Sequence, residues 1–366
     1  LTISGNVSCS GTVLGNATSA VSHGSLTINS GGTYSATSGT TTIKSEASSG
    51  FALFNEGTFT HNNGTVSIGD GTTAAETHIK ITTLYNLIIN SNADSKLVIF
   101  RPESSSTVTI ANDLTLTRGV FYRNNVSDTL TVTGDVSIAS GSTLGRTNDN
   151  GASNFGSLTI NSGGTYVATS GTTTILGSSG GFAFKNEGTF THNSGTVKID
   201  FETSNLNSNT RIHQTGVKEI NNLEIEMNRT TDEVQFSAGT GTSQGLSGNF
   251  TLTKGEAMIY TSGQHDHSFD VDGNFVVGAN GTWGHLSHTG AHEFGSLTIN
   301  SGGTFIATSG TTTITNETSG GNAINNDGTF THNKGTVKID YDSSTNLDLT
   351  GTGGVDLYNL IVDSDA

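Results

Sequence analysis

Apolar residues along this chain alternate with polar ones at a period of two. Leu26 and Ile28 alternate with Ser25 and Thr27, and Val66 and Ile68 alternate with Thr65 and Ser67. This spacing gives a short strand one buried face. Between such segments stand Asn-Ser-Gly-Gly at 29–32 and Asn-Asn-Gly at 62–64. Gly and Asn tolerate positive φ, so these are turn signals with a mechanism. No amphipathic helix of useful length is visible, and the pattern predicts an almost helix-free, all-β protein.

Long identical blocks recur. Ser25–Thr33 reappears at Ser157–Thr165 and Ser296–Thr304, Ala36–Ile43 at Ala168–Ile175 and Ala307–Ile314, and Gly57–Asn62 at Gly188–Asn193 and Gly328–Asn333. Gly24, Gly156 and Gly295 mark equal positions, so the modules are 132 and 139 residues long. A shorter period lies inside each module. Tyr34, Gly39 and Ile43 are matched 25 residues later by Phe59, Gly64 and Ile68. Tyr166, Gly171 and Ile175 map 24 residues on to Phe190, Gly195 and Ile199, and Phe305, Gly310 and Ile314 map 25 on to Phe330, Gly335 and Ile339. Aromatic over aromatic and Ile over Ile is what the stacked coils of a β-solenoid (β-helix) require. The expectation is coils of about 25 residues, roughly 15 of them, stacking at ~4.8 Å into a rod of about 70 Å. Tandem β-sandwich domains of roughly 130 residues are the alternative. Residues 1–23 read as the end of a preceding module, 24–155 and 156–294 as modules, and 295–366 as the start of another. Starting and stopping inside a module, the chain reads as part of a longer array, with further repeats of the same polypeptide as its first partners and self-association into fibres as a second possibility.

Composition fits a thin, repeated core. Hydrophobic residues are 31% and charged residues 13%, with the difference made up by Gly, Ser, Thr and Asn. There are 49 Gly but a single Pro, Pro102. Proline removes the N–H that a paired strand donates, so dense sheet pairing excludes it. Cys9 aligns with Ile138 and Val277 and reads as a core hydrophobe. A net charge of −16 argues against nucleic-acid binding, because phosphate contact needs a basic surface. No run approaches the ~18 apolar residues of a membrane helix.

The Gly-Ser-Leu-Thr-Ile-Asn-Ser-Gly-Gly-Thr and Gly-Thr-Phe-Thr-His-Asn motifs resemble repeats of very large extracellular β-strand-repeat proteins, which occur as prokaryotic surface adhesins and phage fibre-like virion proteins. The resemblance implies a structural role outside the cell, on a cell surface or a virion, and supplies no catalytic residues.

Candidate chemistry is sparse. His61, His192 and His332 recur in Thr-His-Asn, but equivalent positions five coils apart lie about 25 Å from one another, too far to share a metal. A denser group occurs once: His265, Asp266, His267, His285, His288 and His292. Of these, His265, His267, His285 and His288 are the candidate ligands for Zn²⁺ or Ni²⁺, with a solvated loop as the plain alternative. Asp70, Asp200 with Glu202, and Asp340 with Asp342 follow the third repeated strand. Ca²⁺ could bridge such carboxylates, although no calcium-solenoid motif is present. No cofactor is expected otherwise, and no nucleophile elbow, phosphate loop or zinc-protease motif appears, so no catalytic residue is assigned and the chain is read as not an enzyme. Tyr260 and Trp283 are the candidates for glycan stacking, yet Trp283 aligns with Leu144, a core position. The function expected is a shaft or spacer of an extracellular fibre. A carbohydrate- or receptor-binding adhesin or phage tail fibre, binding surface glycans, is the second reading, and a polysaccharide depolymerase the third.

Overall fold

The computed structural model describes every residue except 16–17, 70–74, 103–106, 217, 239–242, 261–265, 319, 342–347 and 364–366. Among the described residues there is no helix. Parallel strands stack about 24 residues apart in a β-solenoid of about 13 turns, against the roughly 15 expected from the sequence. Parallel pairing at one-coil spacing replaces the sandwich alternative, whose strands would be antiparallel. The chain divides into two compact units, one of Leu1–Thr173 with Asn186–Asn193 and one of Thr174–Lys185 with Ser194–Ala366.

In the first unit the predicted register is met residue for residue. Tyr34 pairs with Phe59 and Ile43 with Ile68, and Tyr166 pairs with Phe190. In the second unit Phe305 pairs with Phe330 and Ile314 with Ile339. The module boundaries do not separate domains. Position 155/156 falls inside strand Ser153–Ile160, and 294/295 inside strand His292–Ile299.

Many strands bury alternate residues, as their sequence demands, for example Thr40–Ile43 and Asn222–Glu226. Leu26, Ile28 and Ile43 are fully buried, and Cys9 joins them. The Cys9 thiol lies 3.0 Å from the Gly11 carbonyl and its strand pairs Cys9 with Ile28, so the thiol is core. Stacking also fixes one glycine in every module. A Cβ on Gly57, Gly188 or Gly328 would sit 2.3–2.4 Å from the carbonyl oxygen of Gly32, Gly164 or Gly303 one coil before. Only a residue without a side chain allows that approach. The neighbouring N–H groups use it: Thr58, Thr189 and Thr329 each donate to that same carbonyl at 2.9 Å.

Candidate functional site

The recurring Thr-His-Asn sits at a turn in which two consecutive residues have positive φ: Asn62 and Asn63, Asn193 and Ser194, Asn333 and Lys334. The His61 and His332 rings hold the turn, each Nδ1 accepting the N–H two residues on, at 3.0 and 2.9 Å. The Asn amide ties the turn to earlier backbone, Asn62 to Ala36 O at 2.7 Å and Asn193 to Ala168 O at 2.6 Å. His61 stacks on Tyr85 and His332 on Tyr358. These histidines are structural parts of the turn.

The single dense histidine group is spread across core and surface. His265 lies outside the described residues. His267 is beside the carboxylate of Asp266 at 3.9 Å. His285 is exposed, its Nδ1 accepting the Ser287 N–H. His288 and His292 are buried, with ring centroids 5.7 Å apart. His288 Nε2 faces the Ile259 carbonyl at 3.0 Å, and His292 Nδ1 accepts the Phe269 N–H at 3.2 Å. Burial, reinforced by His288, pushes the His292 pKa down to about 3. Among the described residues no group of three or more His, Cys, Asp or Glu is placed to hold a metal ion.

Trp283 is fully buried, packed against Phe250, Phe269 and Phe275 at centroid distances of 5.4, 4.9 and 4.8 Å. A ring with no exposed face offers no platform for a sugar. Tyr260 is half-buried, and its N–H donates to the Phe236 carbonyl.

The acidic positions meet lysines. Register places Asp200 beside Glu226 and Asp340 beside Asp363. Lys198 reaches Asp200, Glu224 and Glu226 at 3.2, 3.3 and 2.7 Å, and Lys338 reaches Asp340 and Asp363 at 2.6 and 3.0 Å. Glu202 pairs with Lys254. A lysine thus fills the place that Ca²⁺ would take between stacked carboxylates. Asp70 and Asp342 lie outside the described residues. Asp270 differs: burial pushes its pKa up to about 6, Lys218 opposing and its ladder neighbour Glu293 adding to the shift.

One feature was not read from the sequence. A solvent-open pocket of about 310 Å³ is lined by Gly180, Gly181, Asn209, Thr210, Arg211 and Gln235. The Arg211 N–H donates to Gly181 O at 3.0 Å, as that of His78 does to Gly50 O and that of Asp348 to Gly321 O. The same backbone position therefore presents a different side chain in each module. Alignment of the Ser-Gly segments at 49–50, 179–181 and 319–321 could have marked it, because a repeated segment is followed about one coil later by a variable residue. No family model, curated protein or solved structure matches this chain.

Proposed function

We propose that this segment is a shaft or spacer of an extracellular fibre, on a cell surface or a virion. One observation carries the reading: the blocks that repeat almost identically place like residue over like residue at one-coil spacing. Tyr34 over Phe59, Tyr166 over Phe190 and Phe305 over Phe330 all lie in them, as do the glycines that permit close approach. Selection has copied the means of adding a coil. In such an array each coil contacts its neighbours alone, so reach can grow without a new interface. The polar outer positions and the −16 charge suit a surface that stays in solvent.

The test is to insert a second copy of residues 156–294 and measure the maximum dimension by small-angle X-ray scattering. Close to six coils at ~4.8 Å should add about 28 Å. An unchanged dimension, or loss of the β-sheet circular dichroism signal, would rule out the spacer reading.

A further inference from the structure

We propose that the pocket at Arg211 is a subsite for the carboxylate of an acidic sugar, a uronic-acid residue of an anionic polysaccharide. The inference goes beyond the spacer reading and does not depend on it.

Charge comes first. Arg118, Arg146 and Arg229 each form an ion pair with an aspartate. Arg211 forms none among the described residues, in a chain with 31 acidic and 15 basic side chains. An unpaired guanidinium in an acid-rich chain is a charge left open for a ligand.

The group is also oriented. Arg211 Nε donates to Gln235 Oε1 at 3.3 Å, and Gln235 Nε2 in turn donates to Glu233 Oε1. The guanidinium lies 5.7 Å from the centre of the Phe182 ring, a cation–π contact. With Nε engaged and one face against the ring, the two terminal nitrogens remain as a fork. That fork matches a carboxylate in bidentate geometry. Glu233 is the neighbouring acid, and its carboxylate is occupied by the Gln235 amide rather than by the arginine.

The rest of the pocket suits a hydroxylated ring. Asn209 uses its Oδ1 to accept the Glu233 N–H at 2.9 Å, which leaves its amide N–H groups for ligand hydroxyls. Gly180 and Gly181 have positive φ, and a Cβ on either would meet nothing within 4 Å, so the pocket wall is backbone with open space before it. A volume of about 310 Å³ is at the small end of ligand sites and fits a single sugar unit. The equivalent positions have other chemistry: half-buried His78 against Phe51, and exposed Asp348 beside Asn322. The subsite belongs to one module.

The experiment is a calorimetric titration of the whole chain with trigalacturonate, in parallel with neutral galactotriose and with acetate. Saturable binding of trigalacturonate alone is expected. Arg211→Gln should weaken it at least tenfold, Gln235→Ala severalfold through loss of orientation, and Arg211→Lys should not restore it, because an ammonium lacks the fork. Arg211 is exposed, so the variants should keep the circular dichroism spectrum and melting temperature of the parent. Absence of saturable binding, retention within twofold in Arg211→Gln, equal binding of galactotriose, or saturation by acetate at the same affinity would each overturn the proposal. The scattering experiment above reads length alone, so either result can fail while the other stands.

Discussion

Two stretches of equivalent coils fill the same interior in different ways. Around Leu114–Leu144 one column of side chains runs Phe121, Leu144, Tyr166, Phe190. Around Phe250–Trp283 the same column runs Ala257, Trp283, Phe305, Phe330. Large over small has become small over large. The adjoining column changes from Leu114, Val136, Leu158 to Phe250, Phe275, Leu297. The corner beside them changes in kind. Buried Arg123 and Asp149 form an ion cluster with half-buried Arg146 in the first stretch, Asp149 lying 3.6 Å from Arg123 and 2.8 Å from Arg146. Ile259, His285 and His288 stand at those positions in the second, with His288 held by the Ile259 carbonyl. Backbone register fixes the equivalence, since Ser170 N donates to Asp149 O and Ser309 N to His288 O, both at 2.8 Å. The comparison teaches that a coil stack trades volume between neighbouring positions of a column and does not keep residue identity. Two of the grouped histidines, His285 and His288, thus occupy the corner that holds Arg146 and Asp149 in the first stretch.

The sharpest way to break this comparison is at the swapped pair. Trp283→Ala should cost about 3–5 kcal/mol, the range for deleting a buried large aromatic. Ala257→Phe alone should destabilise by roughly 1–3 kcal/mol through overpacking. Combining Ala257→Phe with Trp283→Leu rebuilds the Phe-over-Leu arrangement, and the double variant should be less damaged than the two singles added together. Denaturant unfolding of all variants reads the coupling, and strict additivity would show that the columns do not trade volume.

The ion cluster and its replacement should differ next. Asp149→Ala leaves Arg123 buried without its partner and should cost about 3–5 kcal/mol. His288→Ala removes a ring held by one carbonyl contact and should cost less, roughly 2 kcal/mol. Equal losses would mean that the two corners are alike in energy.

Acid offers a third separation. The His292 pKa falls from 6.5 unfolded to about 3 folded because the ring is buried beside His288. A depressed histidine pKa means that the unfolded chain takes up the proton first. The stability that neutral His292 contributes is whole above pH 6.5 and is lost as pH falls toward 3. The loss at pH 4 should be roughly 3 kcal/mol. Register places Ser153 at the equivalent point of the first stretch. His292→Ser should therefore flatten the change in stability between pH 7 and pH 4, whatever it does at pH 7, and a slope like that of the parent would refute the assignment.

Much of the fold was legible in the sequence, for a physical reason. In a coil stack each inward residue rests on its counterpart, so the 24–25-residue recurrence of Tyr34, Phe59, Ile43 and Ile68 is itself a contact list. The candidate site was legible only in part. The turn role of His61 followed from its Gly- and Asn-rich setting, and the core role of Trp283 from its alignment with Leu144. The lysines that bridge Asp200 with Glu226, and Asp340 with Asp363, were hidden because the partners are one coil apart and outside the repeated motif. Arg211 was hidden for the opposite reason: its isolation is a property of what surrounds it, and a string of residues does not show which charges go unpaired.

The smallest expected effect concerns one hydroxyl. Tyr166 is buried, and its OH lies 3.0 Å from Thr173 Oγ1 with Ser153 as a second partner. In the later stretch Phe305 stands in place of Tyr166, Thr312 in place of Thr173 and His292 in place of Ser153. Thr312 Oγ1 and His292 Nε2 are both buried with no hydrogen-bond partner among the described residues. A buried polar atom left unpaired costs about 1–3 kcal/mol, so the loss of one phenol oxygen strands two groups. Phe305→Tyr returns that oxygen. Because His292 Nδ1 already accepts the Phe269 N–H, its Nε2 carries the proton; the new hydroxyl can accept from Nε2–H and donate to Thr312 Oγ1, and the net gain should be about 1 kcal/mol after the cost of fitting one more atom into a full column. Calorimetric melting of Phe305→Tyr alone and with Thr312→Val separates the contributions. A gain that disappears with Thr312→Val identifies the hydrogen bond as its source. A loss of stability in Phe305→Tyr itself would show that the larger Trp283 ring, stacked directly before Phe305, has already taken the space that Leu144 leaves for Tyr166.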